Sequence, residues 1–151
     1  MAMNTRISEL FGIELPVLLA PMAGSAGSEL AIAVSAAGGL GALPCAMLTP
    51  EKIRTEMGVI RQRTDRPVNM NFFCHVPPTP DAKREAAWRE CLRPYYSEFG
   101  IDPDAAPAGA GRNPFNEESC AIVEEFRPEV VSFHFGLPDA LLMQRVRDAG
   151  A

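Results

Sequence analysis

Four short apolar runs, Val17 to Ala20, Leu40 to Leu43, Val68 to Phe73 and Val130 to Phe133, punctuate the 151 residues, and a turn and a helix-like stretch follow each of them. Strands separated by helices pair in parallel, because each helix carries the chain back to the end of the sheet where the next strand starts. The rhythm predicts an α/β fold on a parallel sheet with right-handed crossovers. Val17 to Ala20, flanked by Pro16 and Pro21, reads as a strand buried on both faces. Ser28 caps a first helix with Leu30, Ala33, Val34 and Ala37 as its apolar stripe, and Gly38-Gly39 ends it.

Thr49-Pro50 opens a second helix with the cap followed by proline, and Ile53, Met57 and Ile60 form its buried stripe. Asp65-Arg66-Pro67 then turns the chain into the third strand. Beyond the rigid stretch Pro77 to Pro80, Asp81 caps a helix to about Phe99, with Trp88, Leu92 and Tyr95 or Tyr96 on one side. Residues 100 to 115, rich in Pro, Ala and Gly, predict a surface loop or lid. Asn116 caps a short helix with Ile122 and Phe126 inward, and after the fourth strand Pro138 starts a helix on Leu142, Val146 and Ala149.

Two architectures satisfy this order: an open doubly wound sheet, or about four units of an eight-stranded barrel. A barrel of that kind takes about 250 residues. A helix has just ended at Gly150-Ala151, where another strand is due, so the expectation is one partial barrel domain over 1–151 that stops before closure. Four barrel strands leave two unpaired edges, which predicts self-association or a homo-oligomer.

The net charge of −5 repels polyanions, so nucleic acid is not an expected partner. Arg6, Glu9 and Glu14 interrupt the N-terminal segment as no signal peptide allows, and Pro and Gly break every apolar stretch short of a membrane span. Cys45, Cys74, Cys91 and Cys120 lack the close pairs of a zinc site, and no metal is expected. They read as reduced thiols, most of them packed, in a cytoplasmic protein.

Chemistry concentrates at four places. Ala20-Pro21-Met22-Ala23-Gly24 lies at the C-terminal mouth of the first strand, where parallel α/β folds bind ligands. Its small residues and exposed backbone suit a flat aromatic ring; a tight strand-to-helix turn accounts for them equally. Ala37-Gly38-Gly39-Leu40-Gly41 precedes a strand, so it is not a dinucleotide fingerprint, and packing explains it. Asn69 and Asn71 place carboxamides in a strand, where they require hydrogen bonds; Asn71 could donate to a phosphate or a flavin edge, or bond neighbouring strands. His134 ends the fourth strand as an acid, a base, an anion ligand or a packed ring, and His75 beyond the third strand shares the ambiguity.

Taken together, Pro16 to Gly24 (PVLLAPMAG), Ser28 to Gly41 (SELAIAVSAAGGLG), Thr49-Pro50-Glu51, Thr64 to Phe73 (TDRPVNMNFF) and Val130 to Gly136 (VVSFHFG) resemble the nitronate monooxygenase family, formerly called 2-nitropropane dioxygenases. The resemblance implies an FMN-binding (β/α)8 TIM barrel that oxidises alkyl nitronates with dioxygen to a carbonyl compound and nitrite. Flavin-dependent enoyl-thioester reductases share the same front half, and an inactive fragment is the third possibility. Carried over, it implies that the backbone of Ala20, Pro21, Met22 and Ala23 borders the flavin and that Asn71 and His134 contact the cofactor. Some family members have a lysine at the strand end where His134 stands. The family's catalytic base is expected beyond residue 151, leaving no catalytic residue in this chain.

Overall fold

The computed structural model of the chain describes residues 5–103, 105 and 112–151. Two compact units divide it, one made of Met1–His75 with Ala110–Ala151 and the other of Val76–Gly109.

The first unit opens with a helix absent from the sequence prediction, α1 (Arg6–Phe11), whose Thr5 cap and Ser8 form a reciprocal capping box. Next come α2 (Ser28–Ala36), β1 (Gly41–Pro44), α3 (Pro50–Arg63) and β2 (Val68–Phe73). Past the second unit follow α4 (Glu117–Phe126), β3 (Val130–His134) and α5 (Ala140–Asp148). Thr49 accepts from the Lys52 N–H and Asn116 from the Ser119 N–H, as their spacing predicts. The last helix is capped by Asp139, which accepts from Leu141 and Leu142, so Pro138 precedes the cap instead of starting the helix.

All three strands run parallel in the order β1-β2-β3, with Ala42 beside Asn69 and Asn71 beside Ser132. Alternation sends Val68, Met70 and Phe72 to one face and Asn69, Asn71 and Phe73 to the other. On the first face, Met57 and Ile60 of α3, Ile122 and Val123 of α4 and Leu142 and Val146 of α5 pack on Leu43, Val68 and Met70 in one apolar core, which also holds Ala31 and Ile32 of α2. Each such fully buried side chain contributes about 2 kcal/mol. Phe115 closes the core's end by edge contacts with Phe72 and Phe133, at centroid distances of 4.9 and 5.2 Å. Its own N–H donates to the Phe73 carbonyl.

Two predicted elements are corrected. The segment Val17 to Ala20 is not a buried strand: Val17 is 53% and Leu18 47% exposed, and only a single parallel bridge, Leu18 to Leu40, marks it. Proline at 16 and 21 removes a donor at each end, and Leu40 provides its only strand-like partner among the described residues. In α2 the buried residues are Ser28, Ala31, Ile32 and Ser35, not Leu30, Ala33, Val34 and Ala37. The reason lies in Gly41, where an added Cβ would stand 2.1 Å from the Ala31 carbonyl oxygen and 2.6 Å from Ser35 Oγ. Helix backbone and strand touch there, so the small residues face inward. Ser35 completes the seam by donating to the Pro67 carbonyl and accepting from the Gly41 N–H. Ser28 is the first helical residue, and its N–H is taken by Glu56 of α3 because the cap position is Gly27.

The second unit contains a helix over Ala82–Glu98, capped by Asp81 through the Lys83 and Arg84 N–H groups. Against expectation, this helix has no buried residue: Trp88 is 65% and Tyr95 58% exposed. Of the predicted loop over 100–115, residues 104 and 106–111 lie outside the described residues, and the others belong to no helix or strand. Among the described residues no helix is long and apolar enough to cross a membrane.

Candidate functional site

The C-terminal ends of the strands gather the site. Beyond the Leu18 bridge the chain turns through Ala20-Pro21-Met22-Ala23-Gly24, with the Met22 carbonyl accepting from the Ser25 and Ala26 N–H groups. Gly24 takes φ +80°, a conformation that glycine adopts without strain. Ala20 and Met22 are exposed and Pro21 and Ala23 half-buried, so this backbone is open to a ligand.

Facing away from the apolar core, β2 and β3 carry a polar ladder. Asn69 Nδ2 donates to Ser132 Oγ at 2.9 Å, and Asn71 Nδ2 to the same oxygen at 2.8 Å. Asn71 Nδ2 also reaches the Ser132 carbonyl at 3.1 Å and His134 Nδ1 at 3.0 Å. Of the two sequence readings of Asn71, bonding between neighbouring strands is what its amide nitrogen does. The structure thus brings Asn71 and His134 together. His134 is exposed, whereas Asn69 and Asn71 are buried, and Asn69 Oδ1 is a buried atom without a hydrogen-bond partner. Leaving a buried amide oxygen unpaired costs about 1–3 kcal/mol.

Above the ladder lies a cavity of about 440 Å³ lined by Ala23, Met47, Phe73, His75, Arg112 and Phe135. Phe73, one of its walls, is in edge contact with Phe135 at 4.8 Å, with His134 at 6.1 Å and with His75 at 6.3 Å. Phe135 holds φ +66°, strained for a bulky side chain, and Gly136 follows at φ +123°. Of the predicted site residues only Ala23 lines this cavity.

Met47, Phe73, Arg112 and Phe135 escaped the sequence reading. The first, second and fourth follow or end predicted strands, a position that parallel topology alone marks as ligand-facing. Arg112 carried no such signal.

Among the described residues no cluster could hold a metal ion, and no cysteine is in a disulfide. Cys45 and Cys120 are buried, Cys74 is half-buried and packed against the apolar core, and Cys91 is exposed, so most of the thiols pack, as expected. Burial pushes the Cys45 thiol up to about 12 and raises Cys74 as well. Neither is a nucleophile at neutral pH.

Comparison with known proteins finds relatives that match nearly the whole chain. The family model described as nitronate monooxygenase matches residues 4–151. A nitronate monooxygenase of Pseudomonas aeruginosa is 41% identical over 138 residues, covering 90% of this chain and 39% of its own. The solved nitroalkane oxidase of Streptomyces ansochromogenes superposes with a TM-score of 0.76 at 32% identity, over 97% of this chain and 40% of that one. FabK from Thermotoga maritima shares the fold, with a TM-score of 0.66 at 24% identity, over 98% of this chain and 35% of its own. The chain spans about 39% of the length of the curated relatives it matches.

Proposed function

Since the chain belongs to the nitronate monooxygenase family, we propose that the whole protein is a cytoplasmic, FMN-dependent oxidoreductase that oxidises alkyl nitronates with dioxygen. This chain would supply about four β/α units of its (β/α)8 barrel, with the bridged segment at Leu18 standing as the first strand. Supporting this, α2, α3, α4 and α5 all pack on one face of the sheet, whereas a doubly wound sheet carries helices on both. The opposite face is then the barrel interior, and it bears the amides.

The observation that carries the proposal is the buried pair Asn69 and Asn71 on that interior face, beneath an open cavity at the C-terminal end of parallel strands. Carboxamides withdrawn from water are costly unless something uses them. Their chemistry fits a flavin, whose ring edge carries both hydrogen-bond donors and acceptors. Asn69 Oδ1 is an acceptor left over, and a His134 ring that accepts at Nδ1 keeps its proton on Nε2 as a donor. The backbone of Ala20, Pro21, Met22 and Ala23 would border the ring, and Asn71 and His134 would contact it.

When bound, FMN would supply the electron-transfer and oxygen chemistry that turns a nitronate into a carbonyl compound and nitrite. The chain's own residues would orient and exclude. Phe73, Phe135 and Met47 would give the cavity apolar walls, and Arg112 beside them would attract the anionic nitronate. No residue of this chain is assigned the base.

The test is oxygen uptake by the whole protein after addition of a nitronate, with bound flavin measured by its visible absorbance. Uptake that depends on flavin is expected. A protein holding FMN that consumes no oxygen with any nitronate, and instead oxidises NAD(P)H with an enoyl thioester, would contradict the substrate assignment.

A further inference from the structure

The hydrogen-bond pattern of the interior ladder decides which atoms it can offer a ligand. A carbonyl oxygen only accepts, so the Asn71 atom facing the Ser132 carbonyl at 3.1 Å is the amide nitrogen. That nitrogen has two hydrogens, and three acceptors surround it: Ser132 Oγ, the Ser132 carbonyl and His134 Nδ1. Its donor capacity is spent inside the protein. Every side-chain hydrogen bond of Asn71 runs through Nδ2, which leaves Oδ1 as the atom available to a ligand. Asn69 repeats the arrangement one pleat deeper: Nδ2 donates to Ser132 Oγ, and Oδ1 is buried with no partner. One hydroxyl therefore holds both amides, because Ser132 Oγ accepts from each.

We propose that Asn69, Asn71 and Ser132 form a two-carbonyl acceptor subsite on the interior face, taking N–H or O–H donors of the bound group, with Ser132 as the residue that turns both carboxamides. The subsite rests on the flavoenzyme reading of this face. A flavin, which carries an imide N–H, is a ligand of the required class. Asn71 thereby meets its ligand as an acceptor, the opposite of the donor role its sequence context suggests. Asn69 becomes a ligand-binding position, and its lone oxygen is explained: the partner arrives with the ligand.

The experiment uses the whole protein freed of cofactor and titrated with FMN by fluorescence. Ser132→Ala frees the Asn69 amide and removes one of the three acceptors around Asn71 Nδ2, so the dissociation constant should rise about fivefold to tenfold and the visible band of the bound flavin should shift. Ser132→Thr, which restores the hydroxyl on a strand, should recover both. Asn69→Leu removes the unpaired oxygen at similar volume. It should weaken FMN binding by a like factor while the apoprotein's melting temperature stays at or above the wild-type value. That combination separates a ligand contact from a structural one.

Wild-type affinity and spectrum in both Ser132→Ala and Asn69→Leu would overturn the subsite and leave the flavoenzyme reading intact. A lowered melting temperature with unchanged affinity in Asn69→Leu would overturn it too. A wild-type protein that binds no FMN would overturn both. If Ser132→Ala fails to fold, Asn69→Leu carries the test alone.

Discussion

Asn71 Nδ2 and His134 Nδ1 lie 3.0 Å apart across the β2–β3 register, so the imidazole accepts at that nitrogen and, carrying one proton, holds it on Nε2. Which ring nitrogen bears the proton decides whether the exposed edge of the ring donates or accepts. Here it donates.

Ring-nitrogen and ring-carbon shifts of singly protonated His134 in the whole protein should therefore report the Nε2–H tautomer. In Asn71→Leu, where the donor is gone, the two tautomers should mix. A fixed Nδ1–H form in the wild type would contradict the hydrogen bond.

Gly41→Ala should be among the most damaging single-methyl additions in the chain. Its Cβ would stand 2.1 Å from the Ala31 carbonyl oxygen, backbone that cannot rotate away. A cost of about 3 kcal/mol is expected from such overpacking, visible as a drop in the denaturation midpoint. Gly58→Ala, where nothing lies within 4 Å of the added carbon, serves as the control and should hold or gain stability because it sits in α3.

Glu56 links two helices and should make stability depend on acid. A hydrogen bond from Lys52, with a second from Ser28, holds its carboxyl below the usual carboxylate range. A carboxyl lowered by folding contributes fully above its unfolded value of about 4.3 and loses that contribution as pH falls on through its lower folded-state value. Urea unfolding should therefore show Glu56→Gln to be less stable than wild type by about 1 kcal/mol at pH 7. At pH 3 the gap should narrow. An equal gap at both values would place the effect elsewhere.

Thiol labelling ranks the cysteines by access. At pH 8 Cys91 should react first, Cys74 slowly, and Cys45 and Cys120 only after denaturant is added, because both are buried and the Cys45 thiol lies at about 12. Mass spectrometry of the labelled peptides reads this directly. Rapid native labelling of Cys45 would mean that β1 is not packed as described.

Much of this was legible from sequence wherever a local signal suffices. Val68 to Phe73 was bounded correctly because a turn ahead and an Asn-Met-Asn alternation within mark a strand with two unlike faces. Thr49, Asp81 and Asn116 announce their helices because a cap is a short-range bond. The inward face of α2 was misjudged because apolar spacing favoured Leu30, whereas Gly41 draws Ala31 and Ser35 against the strand from ten and six residues away. Solvent exposure at Val17 and Leu18 depends on what lies beside them, which no local pattern states. Asn71 and His134 stand out by residue type, but their mutual hydrogen bond depends on a register set between residues 63 positions apart.

The most direct test of the flavin wall is a crystal structure of the whole protein with its flavin bound. The ring should lie against the backbone of Ala20 to Ala23, within reach of His134 and of the carbonyl oxygen of Asn71. A flavin held away from the C-terminal ends of β2 and β3, with the Ala20 to Gly24 turn touching no ligand, would contradict the account.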